Sequence, residues 1–173
     1  MENEMGSSMF YKEMDTPVGR LKLIASNLGL VAVLWEGETF SRIKLETPPQ
    51  AANDHPILLA AEQQLAEYFA QKRKVFDLPL AITGTEFQKK VWALLATIPY
   101  GKTKTYGALA QLMGDSKTVR AVGGALNKNP VSIIIPCHRV IGAAGQLVGF
   151  AGGLYHKSYL LDIENPKIQY SLW

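Results

Sequence analysis

Cysteine is nearly absent: of 173 residues, only Cys137 carries a thiol. One thiol cannot build an internal disulfide framework, nor a zinc site that needs several thiolates. Its scarcity fits a reducing compartment, and the expected location is the cytoplasm. Long hydrophobic runs are absent too. None approaches the roughly 20 apolar residues that cross a bilayer, so no membrane partner is expected. The opening "MENEMGSSMF" is acidic and has no basic start leading into an apolar stretch, unlike a secretion signal. There is no internal repeat and no low-complexity tract. Charged residues make up 19% of the chain, too few for a disordered polyelectrolyte.

What is present is an ordinary globular composition, 47% hydrophobic and 9% aromatic, ample for a core. The net charge of +3 hides an asymmetry. Residues 1–84 carry 8 Lys/Arg against 11 Asp/Glu, a balance of −3, whereas residues 85–140 carry 8 against 2, a balance of +6. A locally basic segment points to a polyanion, although lysines on a solvated surface would look the same.

The first third reads as a small β unit. "MFYKEM", "RLKLIAS" and "LVAVLWE" are strand-like and are separated by the turn chemistry of "DTPVG" and "NLG". "SRIKLETPPQAANDHP" reads as a loop. "ILLAAEQQLAEYFAQK" has helical spacing, with Leu58, Ala61, Leu65 and Phe69 on one stripe. "VFDLPLAITG" marks the boundary between an N-terminal domain over residues 1–80 and a C-terminal domain over 85–170. The second domain opens with Thr85 and Gln88 in a capping-box pattern. Phe87, Val91, Leu94, Leu95 and Ile98 then form a helical stripe that Pro99 and Gly101 end. "KTYGALAQLMGD" and "SKTVRAVGGALNKN" are two short helices around Gly114, the second capped by Asp115 or Ser116. The pair matches a helix-turn-helix. Gly123 and Gly124 interrupt the second helix at a cost of about 1 kcal/mol each relative to Ala. Close packing by another helix would explain them, and so would close approach of a nucleic acid backbone. "VSIIIP" reads as a buried strand and "HKSYLLDIEN" as a final helix.

The thiol lies in "SIIIPCHRVIG". A lone cysteine is commonly a small buried hydrophobe, but three features oppose that here. Pro136 fixes the backbone before Cys137. His138 and Arg139 follow directly, and nearby cations favour a thiolate. "IGAAGQLVGFAGG" is glycine-rich and suits the wall of a pocket. In an extended chain His138 points away from the sulfur, so a water would relay the proton. Asp162 and Glu164 are candidates to orient the imidazole.

"GGALNKNPVSIIIPCHRVIG" followed by "LVGFAGGLYHKSYLLDIE" resembles the C-terminal domain of the O6-alkylguanine-DNA alkyltransferases over roughly residues 85–165. The first half resembles that family's variable N-terminal domain through its layout and the "TPVG" turn. The resemblance implies an α+β fold, with a small ribonuclease H-like N-terminal β-sheet domain. The C-terminal domain would be mainly α, with a winged-helix-like helix-turn-helix. It implies DNA repair by direct reversal. An alkyl group would pass once from O6-methylguanine, or more weakly from O4-methylthymine, to Cys137. One thiol suffices because nothing restores it.

By the same resemblance His138 is the base acting through water, Glu164 its orienting group, and Asn129 a hydrogen-bonding residue in the turn before the cysteine. Arg120 would fill the gap left by a flipped base. Tyr106 would help rotate the nucleotide and donate its hydroxyl to the base. Val140, Phe150, Ala151 and Lys157 would contact base or DNA. Lys89, Lys90, Lys102, Lys104, Lys117 and Lys128 are candidate phosphate contacts. Phe150 stands where several relatives have tyrosine, and Ala151 where some have serine. The expected partner is duplex DNA carrying O6-alkylguanine, met by a monomer with no cofactor and no metal. A non-catalytic reader of alkylated bases and a helix-turn-helix regulator are the other readings. Such readers lack the cysteine, and a regulator would need a further domain.

Overall fold

The computed structural model describes residues 8–38, 43–45 and 47–168. The chain divides into two compact units, Met1–Thr83 and Gly84–Trp173.

In the first unit β1 (Phe10–Thr16), β2 (Gly19–Ala25) and β3 (Leu30–Leu34) form an antiparallel meander, joined on the far side of β1 by β4 (Gln50–Ala51), in the order β3-β2-β1-β4. The hairpin turns at Pro17–Val18. Thr16 Oγ1 accepts from Val18 N–H at 3.1 Å and donates to Gly19 O at 2.6 Å, and Gly19 takes φ +92°, a conformation that favours glycine. Leu21 and Leu23 alternate with Ile24 across the two faces of β2, and all three are fully buried. Ile24 packs with Ala32 and Leu34 under Met9, Tyr11, Ile43 and Leu45. β4 pairs parallel with β1 inside the segment expected to be a loop. An edge pairing of two residues rests on backbone hydrogen bonds alone and leaves no hydrophobic alternation to read. Segment 79–81 also bonds to Leu30, through Leu30 N–H to Pro79 O and Ala81 N–H to Leu30 O.

Helix α1 (Pro56–Phe69) starts with Pro56 at its first turn and His55 as cap, whose Nδ1 accepts from Ile57 N–H. It buries Leu58, Ala61, Leu65 and Tyr68. Phe69, expected on this stripe, is only half-buried and Tyr68 takes the inward position. Positions 61 and 68 lie two turns apart on one face, and rotation at 3.6 residues per turn carries 69 off it.

The second unit opens with α2 (Glu86–Leu95), capped by the reciprocal Thr85–Gln88 box and burying Val91, Trp92 and Leu95. Trp92 Nε1 donates to Ala125 O at 2.8 Å, tying α2 to the helix-turn-helix. α3 (Tyr106–Leu112) is capped by Thr105, and Gly114 makes the turn at φ +97°. Asp115, rather than Ser116, caps the 3-10 turn Ser116–Thr118 that leads into α4 (Val119–Asn127). β5 (Lys104–Thr105) and β6 (Val140–Ile141) pair in parallel, and α5 (Leu154–Glu164) closes the unit.

Candidate active site

The site grows from three local decisions. The first concerns "VSIIIP", which is not a strand. Residues 131–135 form a tight turn closed by Ile135 N–H on Val131 O, and Ile133 sits at φ +77°. A buried β-branched residue in that region is strained, so its surroundings must enforce it. Asn129 does much of this. Fully buried, it donates Nδ2 to Ile135 O at 2.8 Å and accepts from Val131 N–H at Oδ1 at 3.0 Å. The Asn side chain suits both jobs because it offers a donor and an acceptor.

The second decision follows Pro136. The chain folds into a 3-10 turn, Cys137–Arg139, instead of running extended. Cys137 is 5% exposed, and His138 is fully buried. The ring Nε2 of His138 lies 2.7 Å from Glu164 Oε2, while Nδ1 is buried with no hydrogen-bond partner among the described residues. Burial pushes the imidazole toward its neutral form, an effect the neighbouring Glu164 only partly opposes. Neutral His138 therefore donates Nε2–H to Glu164 and keeps a lone pair on Nδ1.

The third decision is made by α5. Lys157 and Glu164 are seven residues apart, two helical turns, and both lie on the buried face with Leu160 and Leu161. Arg139 donates Nε to Glu164 Oε1 at 2.8 Å, NH2 to Oε2 at 3.1 Å and NH1 to Ile98 O at 2.7 Å. Gly101 N–H adds a fourth contact to Glu164 at 3.3 Å. Burial alone would raise the Glu164 carboxyl, but His138 and Arg139 outweigh it and hold the group ionised, well below the usual carboxylate range. Asp162 is exposed and takes no part. The charge of Arg139, expected to act on the thiol, is committed to Glu164.

The parallel β5–β6 pair sets Lys104 opposite Val140 and Thr105 opposite Ile141, which brings Tyr106, the first residue of α3, beside the cysteine turn. Its hydroxyl donates to Val148 O at 2.8 Å. Burial and the neighbouring Cys137 push that phenol up to about 12, so it stays protonated at neutral pH. Lys157 Nζ donates to the same carbonyl at 3.1 Å and lies 5.8 Å from the Tyr106 ring centroid. Val140 is fully buried in β6, Phe150 is half-buried and Ala151 is exposed on the glycine-rich segment before α5. Arg120 is exposed on α4 and makes no hydrogen bond or ion pair among the described residues. A Cβ at Gly123 or Gly124 would meet nothing within 4 Å, so close packing inside the protein does not account for the pair. No cluster of three or more His, Cys, Asp and Glu side chains among the described residues is placed to hold a metal ion.

Strained turns and linked buried charges of this kind mark functional sites. Sequence reasoning missed two parts of this one: the Arg139–Glu164 fork and the conformation of Ile133. A signal for the first was present. An inward stripe on α5 that carries Lys157 and Glu164 beside leucines demands buried partners for both charges.

Fold and site together define a class: a two-unit α+β chain whose helix-turn-helix unit holds one buried cysteine beside a His–Glu–Arg network. Residues 86–166 match the DNA binding domain of 6-O-methylguanine DNA methyltransferase, and residues 9–82 match the ribonuclease-like domain of the same proteins. The chain belongs to this methyltransferase family. It is 45% identical over 157 residues to the methylated-DNA--protein-cysteine methyltransferase of Methanosarcina acetivorans, covering 90% of this chain and 98% of that one. Its counterpart of that name from Mycobacterium leprae is 40% identical over 161 residues, covering 93% and 95%. The crystal structure of Mycobacterium tuberculosis O6-methylguanine methyltransferase superposes with a TM-score of 0.81 at 38% identity, covering 95% of this chain and 97% of that one. A Mycobacterium tuberculosis relative crystallised in complex with DNA superposes at 0.79 with 41% identity, covering 91% and 93%.

Proposed function

We propose that this protein repairs alkylated DNA by a single, irreversible transfer of the alkyl group from O6-methylguanine to Cys137, with O4-methylthymine as a weaker substrate. The observation that carries the reading is the buried His138, which gives Nε2–H to Glu164 at 2.7 Å and keeps Nδ1 unpartnered one residue from the thiol. In the reaction the Cys137 proton passes through a water to Nδ1. The sulfur electron pair forms the S–CH3 bond as the C–O6 bond breaks. The bonding electrons leave on the guanine, which takes up a proton. Glu164 and Arg139 stay charged throughout and hold the imidazole in the tautomer that accepts. Tyr106, whose hydroxyl is still protonated at neutral pH, exchanges Val148 O for the flipped base and donates to it. Asn129 fixes the turn that aims the sulfur. Val140, Phe150, Ala151 and Lys157 surround the base.

The duplex is engaged by the helix-turn-helix. Arg120 stands in for the extruded base through its planar, always charged group. Lys89, Lys90, Lys102, Lys104, Lys117 and Lys128 contact phosphates. The protein acts as a monomer in the cytoplasm, residues 1–80 supporting a functional domain at 85–170. The test is to incubate the protein with a duplex carrying one O6-methylguanine and measure its intact mass. The expected result is a gain of one methylene per chain, located on Cys137 and absent in Cys137→Ala. Tight duplex binding without mass gain would overturn the reading in favour of a non-catalytic reader.

A further inference from the structure

The carboxylate that orients His138 sits where a helix holds its residues least firmly. Glu164 is the last residue of α5, and the final carbonyls of a helix have no partner within it. Such ends fray unless groups outside the helix bind them. Here the turn that follows α2 does so. Tyr100, half-buried, donates its hydroxyl to Ile163 O at 3.2 Å. Asn165 Nδ2 donates to Gly101 O at 3.2 Å, and Gly101 N–H reaches Glu164 Oε1 at 3.3 Å. A Cβ on Gly101 would meet Glu164 O at 3.2 Å, so a larger residue would push the turn away. From the other side, Arg139 NH1 donates to Ile98 O at 2.7 Å, and its guanidinium carbon lies 5.8 Å from the Tyr100 ring centroid. Tyr100 therefore meets both neighbours of the carboxylate: the helix end that carries it and the arginine paired with it. Burial and the Glu164 charge raise the Tyr100 phenol, so it remains a donor at neutral pH.

We propose that Tyr100 and Asn165 are positioning residues for alkyl transfer: they clamp the end of α5 to the 98–101 turn and so fix the Glu164 carboxylate that sets the His138 tautomer. This rests on His138 being the proton acceptor of the proposed reaction. The link runs through atoms in contact, from hydroxyl and amide to the helix end, and from the carboxylate to His138 Nε2 at 2.7 Å. Its effect on the ring is a choice between two tautomers. With the carboxylate held on Nε2, the proton stays there and Nδ1 accepts. With the carboxylate displaced, Nε2–H loses its acceptor, and the proton is free to shift to Nδ1, where the ring no longer accepts. Three residues beyond Gly101 the same segment becomes β5, pairs with β6 and starts α3 at Tyr106. One short stretch thus braces the proton acceptor at one end and presents the phenol of the base pocket at the other.

The test uses Tyr100→Phe, which keeps the ring beside Arg139 and removes only the hydroxyl, and Asn165→Ala, which removes the second strut. Two variants keep the test open should one of them fail to fold. The nitrogen-15 resonances of the His138 ring report its tautomer and are read on protein without DNA at neutral pH, assigned with His138→Gln. Wild type is expected to show a protonated Nε2 and a bare Nδ1. In each variant the two nitrogen resonances should move toward one another as the tautomers mix. Single-turnover methyl transfer should slow about fivefold, the rate equivalent of one neutral hydrogen bond. Affinity for undamaged duplex should stay at the wild-type value. Unmoved His138 resonances in the folded variants overturn the proposal, whatever the rate. Moved resonances with an unchanged rate overturn it as well. Should the wild type gain no methylene, the repair reading fails separately, and the nitrogen spectra still decide what Tyr100 and Asn165 hold in place.

Discussion

At the scale of single residues, Glu164 carries more than an orienting role. It is the shared acceptor of His138, Arg139 and Gly101 N–H in a buried setting. Glu164→Gln keeps the shape and removes the charge, leaving the Arg139 guanidinium buried without a counter-ion. Breaking a buried pair from one side costs about 3–5 kcal/mol, so a large drop in thermal midpoint is expected, together with slower methyl transfer. The acid limb of stability follows from the same groups. His138 and Glu164 both bind protons less readily in the folded chain than at their ordinary values of 6.5 and 4.5. The unfolded chain therefore holds more protons, and stability rises with pH. It should be complete above about 6.5, decline as pH falls through that value, and decline again below about 4.5. In Glu164→Gln the lower step should shrink, as chemical denaturation across pH would show.

Helix α4 is the element whose composition conflicts with its own stability. Gly123 and Gly124 lie in its interior, where Ala would be better by about 1 kcal/mol each, and a Cβ at either position meets open space. Gly123→Ala and Gly124→Ala are expected to stabilise the free protein by that amount in thermal unfolding and to weaken duplex binding. Stabilisation with unchanged affinity would mean that no DNA backbone approaches this face. Arg120, exposed on the same helix, is expected to matter only where a base leaves a gap. Arg120→Ala should slow repair in duplex DNA more than in single strands, read as single-turnover rates on the two substrates. The helices and their caps were legible in the sequence because capping and turn chemistry act over a few residues: Thr85 with Gln88, Asp115 and Gly114 all serve as their types predict. The 131–135 turn was not. Its β-branched run reads as a strand, and the Asn129 contacts that bend it depend on how the chain returns.

For the whole molecule, charge is divided along the chain. The acidic balance falls in the first unit, and the basic block falls in the helix-turn-helix unit. Lys89, Lys90, Lys102, Lys117 and Lys128 are exposed there, and Lys104 is half-buried in β5. Scanning DNA for rare lesions calls for affinity that does not depend on sequence, and backbone charge supplies it. Binding to undamaged duplex should weaken steeply with salt. Each phosphate contact removed by Lys→Ala should lower the logarithmic salt slope by about 0.9, measured by fluorescence anisotropy across a salt series. A slope unmoved by Lys89→Ala with Lys90→Ala would place the contacts elsewhere.

The sequence by itself marked Cys137 as the candidate nucleophile and determined the two short helices around Gly114 and the Thr85–Gln88 cap, because each is written in residues within a few positions of one another. Tertiary structure alone decided which charges meet. Arg139 and Glu164 are 25 residues apart, and Tyr106 and Val148 are 42 apart. Adjacency favoured Arg139 as the partner of the thiol, but the 3-10 turn swings its guanidinium onto Glu164.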